Sequence, residues 1–235
     1  VREPILLAKQ LATLDRLTGG GRLTVGLTIG RRPADHTLTG TDYHHRGAVL
    51  ADVVAVLKAC WSGARVEVTG HSRSWQSEGP VGVLPATTGG PPVLLGGLAP
   101  TALDRAVSLA DGYVGSATGG PAAALDALGR VHALLEKHGR ERSTFQCVTS
   151  VFVVVARDRA KAVALAAERL ARRHGGSLHF APDEVVVGGG AAEVADHLHE
   201  LHAAGYERIT VVPVLAEQPQ LDALGEGVAA LRSRG

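Results

Sequence analysis

The chain has 235 residues, of which 45% are apolar, and a formal net charge of +1. This length allows one large domain or two small ones and provides ample material for a core. No basic run is longer than two residues, which argues against nucleic acid as a partner, because phosphate binding requires clustered lysine and arginine. No apolar stretch is long enough to span a bilayer and no signal peptide is visible, so we expect a cytoplasmic protein without a membrane partner.

Cysteine and methionine give two further expectations. Cys60 and Cys147 lie far apart and lack the spacing of metal ligands, so we expect two small buried thiols in a reducing compartment. The chain contains no methionine and begins at Val1. We therefore expect that residues precede Val1 in the complete protein.

The first half of the chain predicts alternating helices and strands. Pro4 marks a helix start, Leu7, Leu11 and Leu14 share one helix face, and three glycines end the helix. There follow, in order, a strand in RLTVGLTIG, a helix over 41–63, half of a hairpin in ARVEVTG, an irregular region near 64–92, a strand in PVLLGG and a helix that begins at Pro100.

The second half continues the alternation. It predicts a strand in DGYVGS, a helix over 121–138, a long strand in FQCVTSVFVVVA, a helix capped by Asp158 that runs to about His174, an irregular region near 175–190, a helix stopped by Gly205, a strand in RITVVPV and a C-terminal helix. Helices that alternate with short apolar strands indicate βα units and a parallel sheet, which places the chain in the α/β class.

About five βα units follow a leading helix that has no strand of its own. An open doubly wound sheet fits this count. The unpaired leading helix instead favours a (β/α)₈ barrel of the TIM type, in which this chain holds only about the last five βα units. We expect 1–235 to form a single partial barrel domain with two irregular insertions.

The first helix and strand resemble a segment of the bacterial luciferase-like monooxygenase family. The family pattern is P-x-x-x-A-K-Q-x-A-T-L-D-x-L-S-G-G-R, and this chain differs by Thr18 and by one extra glycine before Arg22. HHRGAVLADVVAVLKACWSG, PPVLLGGLAPTALDRAVSLADGYV and AAEVADHLHELHAAGYERITVVPV are also similar to the family. The matching positions of the first segment are Pro4, Ala8, Lys9, Gln10, Ala12, Thr13, Leu14, Asp15, Leu17, Gly19 and Gly20.

The resemblance implies a TIM barrel that binds FMN or a deazaflavin coenzyme and oxidises or reduces a small organic substrate, with NAD(P)H as a candidate electron donor. It also implies a homodimer, formed through the apolar helix at 5–17. Two alternatives remain open. One is a non-catalytic or truncated flavin-binding relative that works with a partner chain, and the other is an open α/β nucleotide-binding domain.

The segment LLGGLAPTAL carries the best candidate for a phosphate site. Glycines at a strand end allow close backbone approach, and the N–H groups of a helix start attract an anion. We therefore predict a phosphate cradle of Gly96, Gly97 and Leu98, with the hydroxyl of Thr101. The resemblance implies that this loop binds the flavin phosphate, whereas the alternative is a tight turn without a ligand.

Three further residues complete the predicted cofactor site. Arg46, near a helix start, has a guanidinium suited to phosphate oxygens, and the resemblance implies this role; the alternative is a surface arginine that pairs with an acidic neighbour. Thr28 and Gly30 lie at a strand end, where a small residue lets a flavin ring lie flat, although Gly30 alternatively serves the turn.

No catalytic residue or metal site is predicted. His44 and His45 are adjacent and diverge on a helix, which disfavours a metal, while a substrate contact by either remains open. The glycines of VVVGGGAAEVADHL favour a structural role over a second anion site. The sequence lacks a nucleophile elbow, a Walker motif, a zinc pattern and a carboxylate pair, which fits an enzyme whose flavin carries the hydride chemistry.

Overall fold

The computed structural model describes residues 2–173, 178 and 180–232. It contains two compact units, an N-terminal unit over Val1–Tyr113 and a C-terminal unit over Val114–Gly235. Each unit contains parallel strands and helices, which confirms the predicted α/β class. The partial barrel of the TIM type and the single domain over 1–235 stay predictions.

In the N-terminal unit, two parallel strands form the core that carries the predicted site residues. β1 pairs with β4, and Leu27 lies opposite Leu95. β2 and β3 form a separate antiparallel hairpin, which confirms the predicted half-hairpin. The elements of the unit are α1 (Pro4–Leu17), β1 (Val25–Leu27), α2 (Pro33–Leu38), α3 (Arg46–Trp61), β2 (Arg65–Thr69), β3 (Ser74–Pro80), β4 (Val93–Gly96) and α4 (Pro100–Leu109).

The helix α1 has the predicted bounds and packs against α3. It begins where the side chain of Glu3 accepts a hydrogen bond from the N–H of Leu6 at 2.8 Å, as an N-cap does. The buried face includes Ala8, whose carbonyl accepts a hydrogen bond from Trp61 Nε1 at 3.0 Å. The buried face is thus formed by Pro4, Ala8, Ala12 and Asp15, whereas Leu7 and Leu11 are half-buried and Leu14 is exposed.

The region predicted to be irregular near 64–92 contains a strand, so that prediction is wrong for β3. Residues 74–80 read SWQSEGP, a segment rich in serine and glycine that has weak strand propensity by itself. The hairpin is anchored from α3, where both carboxylate oxygens of Asp52 accept a hydrogen bond from the N–H of His71, at 2.9 and 3.0 Å. Burial of Trp75 adds apolar packing.

The C-terminal unit is built around a long central strand. β6 pairs in parallel with both β7 and β8, and the carboxylate of Asp158 caps α6 by accepting from Lys161 N–H at 2.8 Å, as predicted. β5 (Gly112–Val114) spans the boundary between the units. The other elements are α5 (Gly120–Lys137), β6 (Gln146–Val155), α6 (Arg159–Arg173), α7 (Pro182–Val185), β7 (Val186–Gly189), α8 (Ala191–Ala204), β8 (Arg208–Pro213) and α9 (Gln218–Arg232).

The region near 175–190 was also predicted to be irregular, and this prediction is wrong for two of its segments. It contains α7 and β7, and β7 continues the parallel pairing of β6. The predicted helix end at His174 lies outside the described residues. Gly205 ends α8 with a φ of 123°, as predicted. Within the described part of the chain, every helix is too short or too polar to cross a membrane.

Candidate functional site

The predicted phosphate loop has the expected geometry. Gly96 is the buried last residue of β4, Leu98 and Thr101 are exposed, and α4 begins at Pro100 without a side-chain cap. Proline has no N–H, so the first turn of α4 presents the N–H of Thr101. This arrangement, a strand end followed by glycine and an uncapped helix, is typical of anion sites.

Gly97 is required by the turn itself. Its φ is 139°, a conformation that other residues rarely adopt, and a Cβ at this position would lie 2.7 Å from the Cβ of Ala102. The glycine thus allows α4 to pack closely on the end of β4. This packing accounts for a glycine at position 97 without any ligand. The proposed phosphate role of the loop therefore depends on Gly96, Leu98 and Thr101.

Thr28 lies beside this loop. β1 ends at Leu27, which is opposite Leu95 in the parallel register, so Thr28 and Gly96 occupy the next matching positions at the carboxyl ends of two neighbouring strands. Paired strands are about 4.8 Å apart. The structure therefore brings two of the predicted segments together at the edge where α/β proteins bind ligands.

Gly30 lies between β1 and α2, and Arg46 is the first residue of α3. The Arg46 guanidinium lies over the ring of Tyr43, with its central carbon 4.0 Å from the ring centroid, and Nη1 donates a hydrogen bond to the Tyr43 carbonyl at 2.6 Å. Among the described residues Arg46 forms no ion pair, and its buried Nε has no hydrogen-bond partner. The alternative of an arginine paired with an acidic neighbour is therefore wrong.

His36 is a residue that the sequence did not single out. It lies in the short helix α2, is only 2% exposed and has no hydrogen-bond partner at either ring nitrogen. Its Nε2 would lie 3.0 Å from a Cβ on Gly30, which explains the glycine. Thr28, His36 and Arg46 all line one cavity of about 90 Å³. A lone histidine in a six-residue helix carries no periodic signal, so only the structure reveals it.

The neighbouring histidines make local contacts. His45 Nδ1 lies 2.5 Å from Asp42 Oδ2, and both side chains are about half exposed. This hydrogen bond is the largest cause of the lowering of the Asp42 pKa to about 2. The described residues contain no group of three or more His, Cys, Asp and Glu side chains placed to hold a metal ion.

The fold and the sequence together define the class of this protein. The family model of the luciferase-like monooxygenases matches residues 1–207, and the chain belongs to this family. No curated protein matches the sequence significantly.

Several solved structures share the fold. A monooxygenase from Streptomyces bottropensis is 18% identical, with a TM-score of 0.75 over 97% of this chain and 74% of the other. The coenzyme F420-dependent tetrahydromethanopterin reductase from Methanopyrus kandleri is 19% identical, with a TM-score of 0.70 over 95% and 77%. A riboflavin lyase in complex with modified FMN and riboflavin is 16% identical, with a TM-score of 0.74 over 100% and 68%.

Proposed function

We propose that this chain belongs to a flavin- or deazaflavin-dependent oxidoreductase that acts on a small organic substrate. The observation that carries the proposal is the placement of Thr28 and Gly96 at the carboxyl ends of paired parallel strands, next to the uncapped start of α4. Family membership supports it, as do two similar structures, one dependent on coenzyme F420 and one with modified FMN.

The residues of the loop fit the phosphate of such a cofactor. Gly96 and Gly97 have no side chain to block the backbone, and Leu98 and Thr101 continue the cradle into α4. The positive end of the helix dipole stabilises an anion there by about 0.3–1 kcal/mol. The bound cofactor supplies hydride transfer, while these residues bind and orient it.

Thr28 and Gly30 are proposed to support the ring system. Thr28 is exposed directly after β1, and Gly30 adds no side chain of its own to this strand end. Arg46 is proposed as an anion-binding residue, whose anion is either the cofactor phosphate, as the resemblance to the family implies, or an anionic group of the substrate. NAD(P)H as the electron donor and a cytoplasmic location belong to the same proposal.

The phosphate site is tested by Gly96→Val, in comparison with Gly79→Val. A Cβ on Gly79, a glycine of β3, meets no atom within 4 Å, so this variant is a matched control. We expect Gly96→Val to weaken FMN binding at least about tenfold, or 1.4 kcal/mol. Riboflavin, which lacks the phosphate, should bind both variants about as well as the unaltered chain.

Fluorescence titration of FMN and riboflavin provides the measurement. Unchanged FMN affinity in Gly96→Val would refute the phosphate site, and an equal loss for riboflavin would show a general disruption of the pocket. Bleaching of the bound flavin by NADPH then separates the two remaining functions. An oxidoreductase gives bleaching, whereas a non-catalytic flavin-binding relative binds FMN without it.

A homodimer through α1 is also proposed. Leu6 and Leu14 are 56% and 44% exposed, while Leu7 and Leu11 are half-buried, so the helix presents apolar area beyond its packed face. Light scattering at micromolar concentration should give a dimer mass. Leu6→Glu should give a monomer with unchanged helical content, and a monomer from the unaltered chain would contradict the proposal.

A further inference from the structure

Three buried polar atoms without a hydrogen-bond partner belong to two residues that line the cavity at the end of β1. They are Nδ1 and Nε2 of His36 and Nε of Arg46. Buried polar groups in folded proteins are nearly always hydrogen-bonded, and each exception calls for an explanation. Three exceptions around one cavity of about 90 Å³ indicate a polar species that the cavity is built to hold.

The charge of the lining favours an anion. Arg46 and Arg2, which both line the cavity, are always protonated, and the other polar groups of the lining are those of His36, Thr28 and Thr41. Within the described part of the chain, no aspartate or glutamate lines the cavity. A partly buried cation without a counter-charge is costly, so an anion at this point restores the balance of charge.

The available donors match the two oxygens of a carboxylate. Nη1 of Arg46 donates a hydrogen bond to the Tyr43 carbonyl at 2.6 Å, and the buried Nε–H of the same guanidinium has no acceptor. The ring of His36 provides a second N–H donor even when it is neutral. Two separate single donors can each serve one carboxylate oxygen with a charge-assisted hydrogen bond.

The cavity of about 90 Å³ has room for a small anionic group, and it continues into a larger groove. Arg2, Thr41, Val49 and Val53 also line a groove of about 700 Å³, which provides room for the rest of a larger molecule.

We propose that the substrate carries a carboxylate, and that His36 and Arg46 bind this group in the cavity at the end of β1. The identity of the molecule as substrate rests on the proposed function, whereas carboxylate binding itself does not. His36 is then a substrate-binding residue that fixes the orientation of the substrate and selects acids over neutral analogues.

The test uses the flavin-free chain with ¹⁵N-labelled histidine. The ring nitrogens of His36 are followed by NMR during titration with acetate, with acetamide as its neutral isostere, and with inorganic phosphate. We expect a saturable shift with acetate alone. By calorimetry, His36→Phe should weaken acetate binding about tenfold or more, because a hydrogen bond to a charged group is lost. The control His199→Phe changes an exposed histidine of α8 and should have no effect.

The outcomes separate this inference from the proposed function. No saturable acetate shift, or an equal shift with acetamide, would overturn it. A shift with phosphate alone would also overturn it and would assign Arg46 to the cofactor phosphate. If His36→Phe does not fold, the comparison of acetate with acetamide on the unaltered chain decides. The effect of Gly96→Val on FMN is measured separately, so either proposal can fail alone.

Discussion

Replacement of Asp15 by asparagine should destabilise the N-terminal unit. The carboxylate of Asp15 is fully buried near the end of α1. Its Oδ2 accepts the N–H of Thr87 at 2.7 Å, and its Oδ1 accepts the hydroxyl of the same residue at 2.9 Å. These bonds hold the segment before β4 against α1. Asparagine keeps the volume but presents an NH₂ donor to one of the two donors of Thr87.

The magnitude follows from the loss of a hydrogen bond to a charged group, about 1.5–3 kcal/mol. We expect the free energy of unfolding to fall by about 2–3 kcal/mol. For a chain of this size, each kcal/mol lowers Tm by about 2–4 °C, so the shift should be about 4–12 °C. Urea and thermal denaturation followed by circular dichroism measure both quantities.

A matched control and a double-mutant cycle make this test specific. Asp126→Asn changes an aspartate of α5 whose side chain is 67% exposed, and it should cost less than about 0.5 kcal/mol. Thr87→Val, combined with Asp15→Asn, should show a coupling energy of about 1 kcal/mol. The reasoning would be refuted if Asp15→Asn lowered the free energy of unfolding no more than Asp126→Asn, or if the coupling energy were zero. In either case the two hydrogen bonds between Asp15 and Thr87 would not hold the segment before β4 against α1.

Two further predictions follow from the pKa values. Burial raises the pKa of Cys147 to about 12 and also raises the pKa of Cys60. Neither thiol should therefore react with a thiol reagent until urea unfolds the chain. Fast labelling of the native chain would contradict this prediction. The hydrogen bond from His45 lowers the pKa of Asp42 to about 2, below its ordinary 3.8. The stabilising effect of this hydrogen bond is therefore present above pH 3.8 and lost as the pH falls through 2. An NMR titration of the Asp42 carboxyl should give a pKa near 2 that rises in His45→Ala.

The sequence predicted the long helices well because their signals are local, whereas the short helices α2 and α7 were missed. Pro4, the leucine spacing and the glycines gave α1 its bounds, and Asp158 and Gly205 were identified correctly as helix ends. The strands β3 and β7 were missed because β3 is rich in serine and glycine and because β7, with the sequence VVGG, is too short to give a strand signal by itself. Each becomes a strand through its partner, β2 or β6, so its conformation depends on tertiary context.

The candidate site shows the same limit. The geometry of the loop at Gly96 was predicted correctly, because a strand, two glycines and a helix that begins with proline form a local pattern. The proximity of Thr28 to this loop could not be predicted. It depends on the pairing of β1 with β4, which are separated in the sequence by the hairpin of β2 and β3. His36 was also missed. Its burial and its lack of hydrogen-bond partners depend on the packing of α2 against Gly30, which the sequence does not reveal.

The pairing of β6 has a consequence for synthesis of the chain. Two of its partners, β7 and β8, lie farther toward the C-terminus. Each residue of β6 that pairs with β8 is 60 positions before its partner, as Val148 is before Arg208. At a translation rate of about 5–20 residues per second, β6 leaves the ribosome about 3–12 s before β8. During this interval the uncharged segment VFVVV, rich in β-branched residues, is exposed to neighbouring nascent chains. We therefore expect soluble yield to depend on growth temperature and chaperone supply more than on the stability of the finished fold.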